Sequence, residues 1–100
     1  MSDFEFLVLS LRADAEFQLG LYPRGDQPPA TQLPLARKLI DTLAMLQEKT
    51  RGNLSLEEQR LLENTVTELR FRYLQAYETE AKKSAEKSSE QAPESSPSNG

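Results

Sequence analysis

The sequence predicts an all-α fold of three helices, the last two forming an antiparallel helical hairpin, with a disordered C-terminal tail. Three observations predict it. Between Leu35 and Tyr77 apolar residues recur every three or four positions, the repeat of helices that each bury one face. The turn Lys49-Thr50-Arg51-Gly52-Asn53-Leu54 interrupts that repeat and folds the chain back on itself. From Ser84 to Gly100 there is no large hydrophobic residue, so this stretch has little to offset the entropy of ordering its backbone. The expected organisation is a small helical domain over residues 1–82, with helices at about 4–20, 33–50 and 56–82, and a polar tail over 83–100.

Residues 4–21 fit two periodicities. Leu7, Leu9, Leu11, Ala13, Ala15, Phe17, Leu19 and Leu21 alternate as in a strand, whereas Phe4, Val8, Leu11, Ala15 and Leu19 make a helical stripe. A strand this long would span about 50 Å, and nothing else in the sequence offers it a partner. Ala, Glu, Gln, Arg and Leu favour a helix, and Gly20 is placed to end one. Phe6, Leu7, Leu9 and Phe17 spread around more of that helix than one neighbouring hairpin can cover. Burial by a second subunit is the preferred reading; a central helix in a self-contained monomer is the alternative.

Tyr22–Pro34 reads as a loop, because Pro23, Gly25, Pro28, Pro29 and Pro34 interrupt helix formation. It is read as a connection, with Pro34 in the first turn of the next helix and Thr31 or Gln32 as its cap. The second helix carries its stripe on Ala36, Leu39, Ile40, Leu43 and Leu46. Gly52 is expected at positive φ just past its end, with Lys49 and Arg51 beside the free carbonyls. Ser55 and Glu58 have the spacing of a capping box that opens the third helix.

On the third helix Leu62, Val66, Leu69 and Tyr73 form the buried stripe, with Leu61, Thr65 and Ala76 beside it. It is expected to measure about 35–40 Å against about 24 Å for its partner. The overhang carries Phe71, Tyr73, Leu74 and Tyr77. Aromatic side chains left bare there would make an unusual patch, so helix 1 or a neighbouring subunit should cover them.

The run Ala36-Arg37, Ile40-Asp41, Leu43, Leu46, Glu48-Lys49-Thr50, Gly52-Asn53-Leu54, Glu58, Leu61-Leu62, Leu69-Arg70 and Tyr73, together with Leu9, Leu11 and Leu19-Gly20, resembles a family of small bacterial proteins known as domain of unknown function 1844. The resemblance covers roughly residues 4–77. The Lys-Thr-x-Gly-Asn-Leu turn is its most distinctive part. It implies a small, mostly helical, soluble bacterial protein, and it brings no activity and no functional residues with it.

A chain of 100 residues allows at most one small domain, and cores of fewer than about 70–80 residues usually need disulfides, metals or oligomerisation. The chain has no Cys and no His, which removes disulfides, Cys/His zinc sites, thiol catalysis and imidazole acid–base chemistry. No nucleophile, base and orienting group can be assembled, so the expectation is no enzyme and no cofactor. A net charge of −4 with mixed signs argues against nucleic acid, and an apolar start broken by Asp3, Glu5, Arg12, Asp14 and Glu16 argues against a signal peptide or membrane span. The expected location is the cytoplasm and the expected partner a second copy or an unidentified protein.

Two groups of candidate site residues follow. The candidate interface is Phe6, Leu9, Phe17, Phe71, Tyr73, Leu74 and Tyr77. The candidate anion site is Arg37, Lys38, Arg70 and Arg72, which a hairpin would bring to one end; the competing reading is a solvated face whose cations pair with Asp41, Glu68 and other acids. Asp41, at the edge of the apolar stripe, would take Arg70 as its partner if partly buried. The Lys-Thr turn is not a phosphate loop, since it closes a helix rather than opening one. Glu57 and Glu58 are accounted for by capping. A small helical interaction or homo-oligomerisation module is the first reading of function. A peripheral membrane or nucleic-acid-associated factor, using helix 1 or the basic cluster, is the second.

Overall fold

A computed structural model describes residues 1–95, with side chains described through Ser88. It contains α1 (Asp3–Gln18), α2 (Leu33–Lys49) and α3 (Leu56–Ser95), and each helix packs on the other two. Among the described residues there is no strand; the loop holds one isolated bridge, between Arg24 and Gln27.

The helices begin where side chains satisfy their first N–H groups. Ser2 caps α1 through a capping box: the Glu5 N–H donates to Ser2 Oγ at 3.1 Å and the Ser2 N–H donates to Glu5 Oε1 at 2.8 Å. The box expected at the start of α3 is present, with Glu58 N–H to Ser55 Oγ at 3.1 Å and Ser55 N–H to Glu58 Oε1 at 2.9 Å. At α2 Gln32, one of the two residues expected as the cap, occupies the cap position, but without a side-chain hydrogen bond. The Gln32 N–H is instead drawn to the Gln18 carbonyl at 2.6 Å, which ties the end of the loop to the end of α1. Pro34 in the first turn removes one N–H that would otherwise lack a partner.

Glycine ends the first two helices differently. Gly20, at φ 80°, follows the α1 cap residue Leu19; the Gly20 N–H donates to Phe17 O and the Leu21 N–H to Glu16 O, the double bond pattern that closes a helix with a left-handed residue. Gly52, at φ 83° as expected, sits inside the turn Thr50–Asn53, whose ends are joined by the Asn53 N–H and the Thr50 carbonyl at 2.9 Å.

The core draws equally on the three segments: Val8, Ala15 and Leu19; Ala36, Ile40 and Leu43; Leu62, Val66 and Leu69. Phe4, Leu11, Leu39, Leu46, Leu61, Tyr73 and Ala76 pack against it half-buried, so the three stripes read from the sequence are the three faces that meet. Thr65 is buried with them, and its hydroxyl has no hydrogen-bond partner.

The third helix does not stop near Lys82 but continues to Ser95. The tail lacks large apolar residues, yet Ala, Glu, Lys and Gln are good helix formers, and a helix already started propagates through them. From Ala81 to Ser88 every residue is exposed, so this part rests chiefly on its own backbone bonds, although Lys83 still lines a groove with Leu19, Gly20 and Thr31. It stretches the molecule to 64 Å in its longest dimension. The expectation of disorder in the last part of the tail, residues 96–100, lies outside the described residues.

Candidate functional site

The aromatic segment of α3 lies on both sides of the core boundary. Tyr73, at the end of the buried stripe, is half-buried against the core and stacks on Tyr77, ring centres 6.5 Å apart and planes inclined by 27°. Phe71, Leu74 and Tyr77 remain 60%, 53% and 54% exposed. Helix 1, one of the two covers expected from the sequence, therefore leaves these three side chains bare. Phe71 and Leu74 belong to the outer side of α3, where Thr67, Glu63 and Arg60 are exposed as well, one, two and three turns closer to the helix start, whereas Tyr77, one turn after Tyr73, continues the buried stripe beyond the core.

The α1 members of the candidate interface divide. Phe6 is 66% exposed, but Leu9 and Phe17 are half-buried. For Phe17 the cover comes from the loop: the Arg24 guanidinium lies over its ring, 4.4 Å from the centroid, and its NH2 group donates to Gln18 Oε1 at 3.4 Å. The turn that places Arg24 is closed by the paired backbone bonds of Arg24 and Gln27, at 3.1 and 2.9 Å. Part of the Phe17 surface is thus covered within the domain itself. The loop was expected only to connect; it also packs.

The four candidate anion-binding cations are not gathered in one place. Arg37 and Arg70 line a common hollow of about 270 Å³ with Ile40, Asp41 and Tyr73. Arg72 lies instead along the groove formed by Leu19, Gly20 and Thr31, with Glu68 4.0 Å from it, and Lys38 lines neither. Asp41 does not take Arg70: it is exposed, and its nearest cation is Arg37, one turn earlier, at 4.0 Å. Arg12 bridges Glu16 at 3.2 Å and Glu68 at 3.3 Å, so two of the four candidate cations, Arg37 and Arg72, and Arg12 beside them lie within 4.0 Å of an acid. Such solvated pairs contribute little energy each.

One polar junction was missed by the sequence reading. The Ser2 hydroxyl, while accepting from Glu5, donates to Glu58 Oε2 at 2.7 Å, so the caps of α1 and α3 share a carboxylate. The Ser2 hydrogen bond, followed by the Ser55 N–H, holds the Glu58 carboxyl below the ordinary glutamate range. The Ser2-Asp3-Phe4-Glu5 spacing could have announced the first cap, but no pattern in the sequence announces contact across more than fifty positions.

Around the turn, Glu48, Thr50, Arg51, Gln59 and Glu63 line a hollow of about 390 Å³ that is open and polar. Thr50 Oγ1 donates back to Leu46 O at 2.6 Å and Arg51 pairs with Glu48 at 2.6 Å, so the Lys-Thr turn closes α2 with its own side chains. Among the described residues no cluster of His, Cys, Asp or Glu is arranged to hold a metal ion, and no helix is long and apolar enough to cross a membrane.

No curated protein and no solved structure matches the chain. The sequence model of the family described as Domain of unknown function (DUF1844) matches residues 1–75, which take in α1, α2, the Gly52 turn and α3 as far as the aromatic segment. The chain belongs to the DUF1844 family.

Proposed function

We propose that this protein is a small helical protein–protein interaction module that associates with a second copy of itself, works in the cytoplasm and performs no catalysis. Its framework is an antiparallel hairpin of α2 and α3, a reading supported by two pairings: Arg37, Ile40 and Asp41 share a hollow with Arg70 and Tyr73, whereas Gln47 and Glu48 share one with Gln59 and Glu63. The observation that carries the proposal is the exposure of Phe71, Leu74 and Tyr77 together on α3. Leaving them in water forfeits about 1.5–3 kcal/mol for each large side chain that a partner would otherwise bury. A domain whose core rests on nine buried hydrophobic side chains gains comparatively more from such burial than a large one does.

Light scattering of the untagged protein from micromolar to millimolar concentration tests this. A dimer mass that falls on dilution is expected, and Phe71→Glu or Tyr77→Glu should shift the midpoint to higher concentration by tenfold or more, because either buries a charge in the contact. A monomer mass throughout would overturn the proposal in favour of the self-contained three-helix domain. The basic hollow favours the nucleic-acid or membrane reading less, since only two of the four cations meet there and Asp41 stands between them.

A further inference from the structure

Between α2 and α3 a hollow of about 270 Å³ is lined by Arg37, Ile40 and Asp41 from one helix and by Arg70 and Tyr73 from the other. Its charges do not cancel. Two guanidinium groups share it with one carboxylate, which leaves a single positive charge in a chain whose net charge is −4. Asp41 lies 4.0 Å from Arg37, at the outer limit of an ion pair, and among the described residues no acid stands that close to Arg70. Arg12, Arg37, Arg51 and Arg72 each have such a neighbour. Arg70 is therefore held beside a second cation with no carboxylate to take its N–H groups.

The rest of the lining is apolar. Ile40, only 4% exposed, makes the floor, and Tyr73, half-buried and stacked on Tyr77, brings an aromatic surface. A guanidinium offers its N–H groups as a planar fork that matches a carboxylate, and two forks on facing helices can share the two oxygens of one anion. An anion with a second charge would meet the repulsion of Asp41. We propose that this hollow binds a small organic carboxylate, held at its oxygens by Arg37 and Arg70 and along its body by Tyr73 and Ile40. The volume lies just below the about 300–1,000 Å³ of most ligand sites, so a single ring or a short chain is the size it admits. Both arginines are exposed, which places the affinity in the millimolar range. The inference does not rest on the self-association proposed above, since Phe71, Leu74 and Tyr77 do not line the hollow.

Titration of benzoate at neutral pH into the isotope-labelled full-length chain, followed through amide chemical shifts, tests it. The shifts of residues 37–41 and 70–73 should saturate at millimolar concentration. Benzyl alcohol, which has the same ring and no charge, should leave these amides in place. Arg37→Gln and Arg70→Gln should each weaken benzoate binding several-fold, because each removes one of the two forks. Arg72→Gln removes the same charge from a position outside the hollow and should leave binding unchanged. Shifts that never saturate, or that Arg72→Gln reduces as much as Arg70→Gln does, would amount to general attraction of an anion to surface charge and would overturn the site. Inorganic phosphate, titrated at mildly alkaline pH where it is mostly a dianion, supplies the second arm. Phosphate that moved the same amides at lower concentration than benzoate would overturn the assignment to an organic monoanion. Unaltered shifts elsewhere in the spectrum of each variant check that the fold is retained.

Discussion

The two connections of this domain end a helix with the same backbone conformation and yet tolerate change to different degrees. Gly20 and Gly52 both sit near φ 80°, where a Cβ is disfavoured by sterics within the residue itself. Around Gly52 there is nothing within 4 Å of where a Cβ would be. At Gly20 that Cβ would come within 2.7 Å of Thr31 Oγ1 and 3.4 Å of the Ala30 carbonyl oxygen. The short turn asks only for a left-handed residue, whereas the long loop returns so tightly across the end of α1 that it also asks for the absence of a side chain. The reason is the Gln32 N–H bonded to the Gln18 carbonyl at 2.6 Å, which pulls Ala30 and Thr31 onto the glycine.

The largest effect should therefore be at the longer connection. Gly20→Ala combines left-handed strain with a clash on the Thr31 hydroxyl, which must shift to admit a Cβ, and is expected to cost about 2–3 kcal/mol, against about 1–2 kcal/mol for Gly52→Ala, where only the strain applies. Urea unfolding of the two variants measures the difference directly. Equal costs would mean that the loop can move off Gly20, and the contrast between the two connections would collapse. Arg51→Ala, in the same turn as Gly52, should cost less than either, since its bond to Glu48 joins two exposed side chains.

A smaller effect separates the ends of the domain by pH. The short-turn end is tied through the Glu58 carboxylate, which accepts from Ser55 and Ser2, whereas the long-loop end is tied through Arg24 over Phe17, a contact that involves no carboxylate. Because the folded state holds Glu58 below its ordinary value, the stabilisation is fully present above that value and is lost as the pH falls through the lowered one. Glu58→Gln should lower the thermal midpoint at neutral pH, and the gap to wild type should close on acidification below the ordinary glutamate range. Arg24→Ala should lower the midpoint by an amount that is the same at both pH values. A Glu58→Gln gap that stays constant with pH would remove the carboxylate from its role as the tie.

These contrasts mark what could be read from the residues. The stripes, the positive φ of Gly52 and the Ser55–Glu58 cap are local: spacing along one helix or one turn determines them, and the sequence states spacing directly. The Ser2–Glu58 bond, the crowding at Gly20 and the Arg24 cover on Phe17 depend on which distant backbone arrives, and composition carries no trace of that. Arg70 would partner Asp41 only if that carboxylate were partly buried; it is exposed and lies by Arg37 one turn away, as the solvated-face reading expects. The end of α3 was misplaced: lack of apolar residues removes packing, and helix propensity acts without packing.

That last distinction yields the smallest predicted effect. Residues 81–88 are helical but exposed on every side, so they add backbone hydrogen bonds without burying anything in the domain. Deleting Ser84–Gly100 should reduce the helical circular dichroism signal and leave the thermal midpoint of the three-helix core within about a degree, measured at a concentration dilute enough to keep the chain monomeric. Loss of signal and loss of stability are separable here because the first counts ordered peptide units and the second counts buried contacts. A midpoint lowered by several degrees in the dilute sample would mean that the extension docks on its own domain, and the long helix would then belong to the core after all.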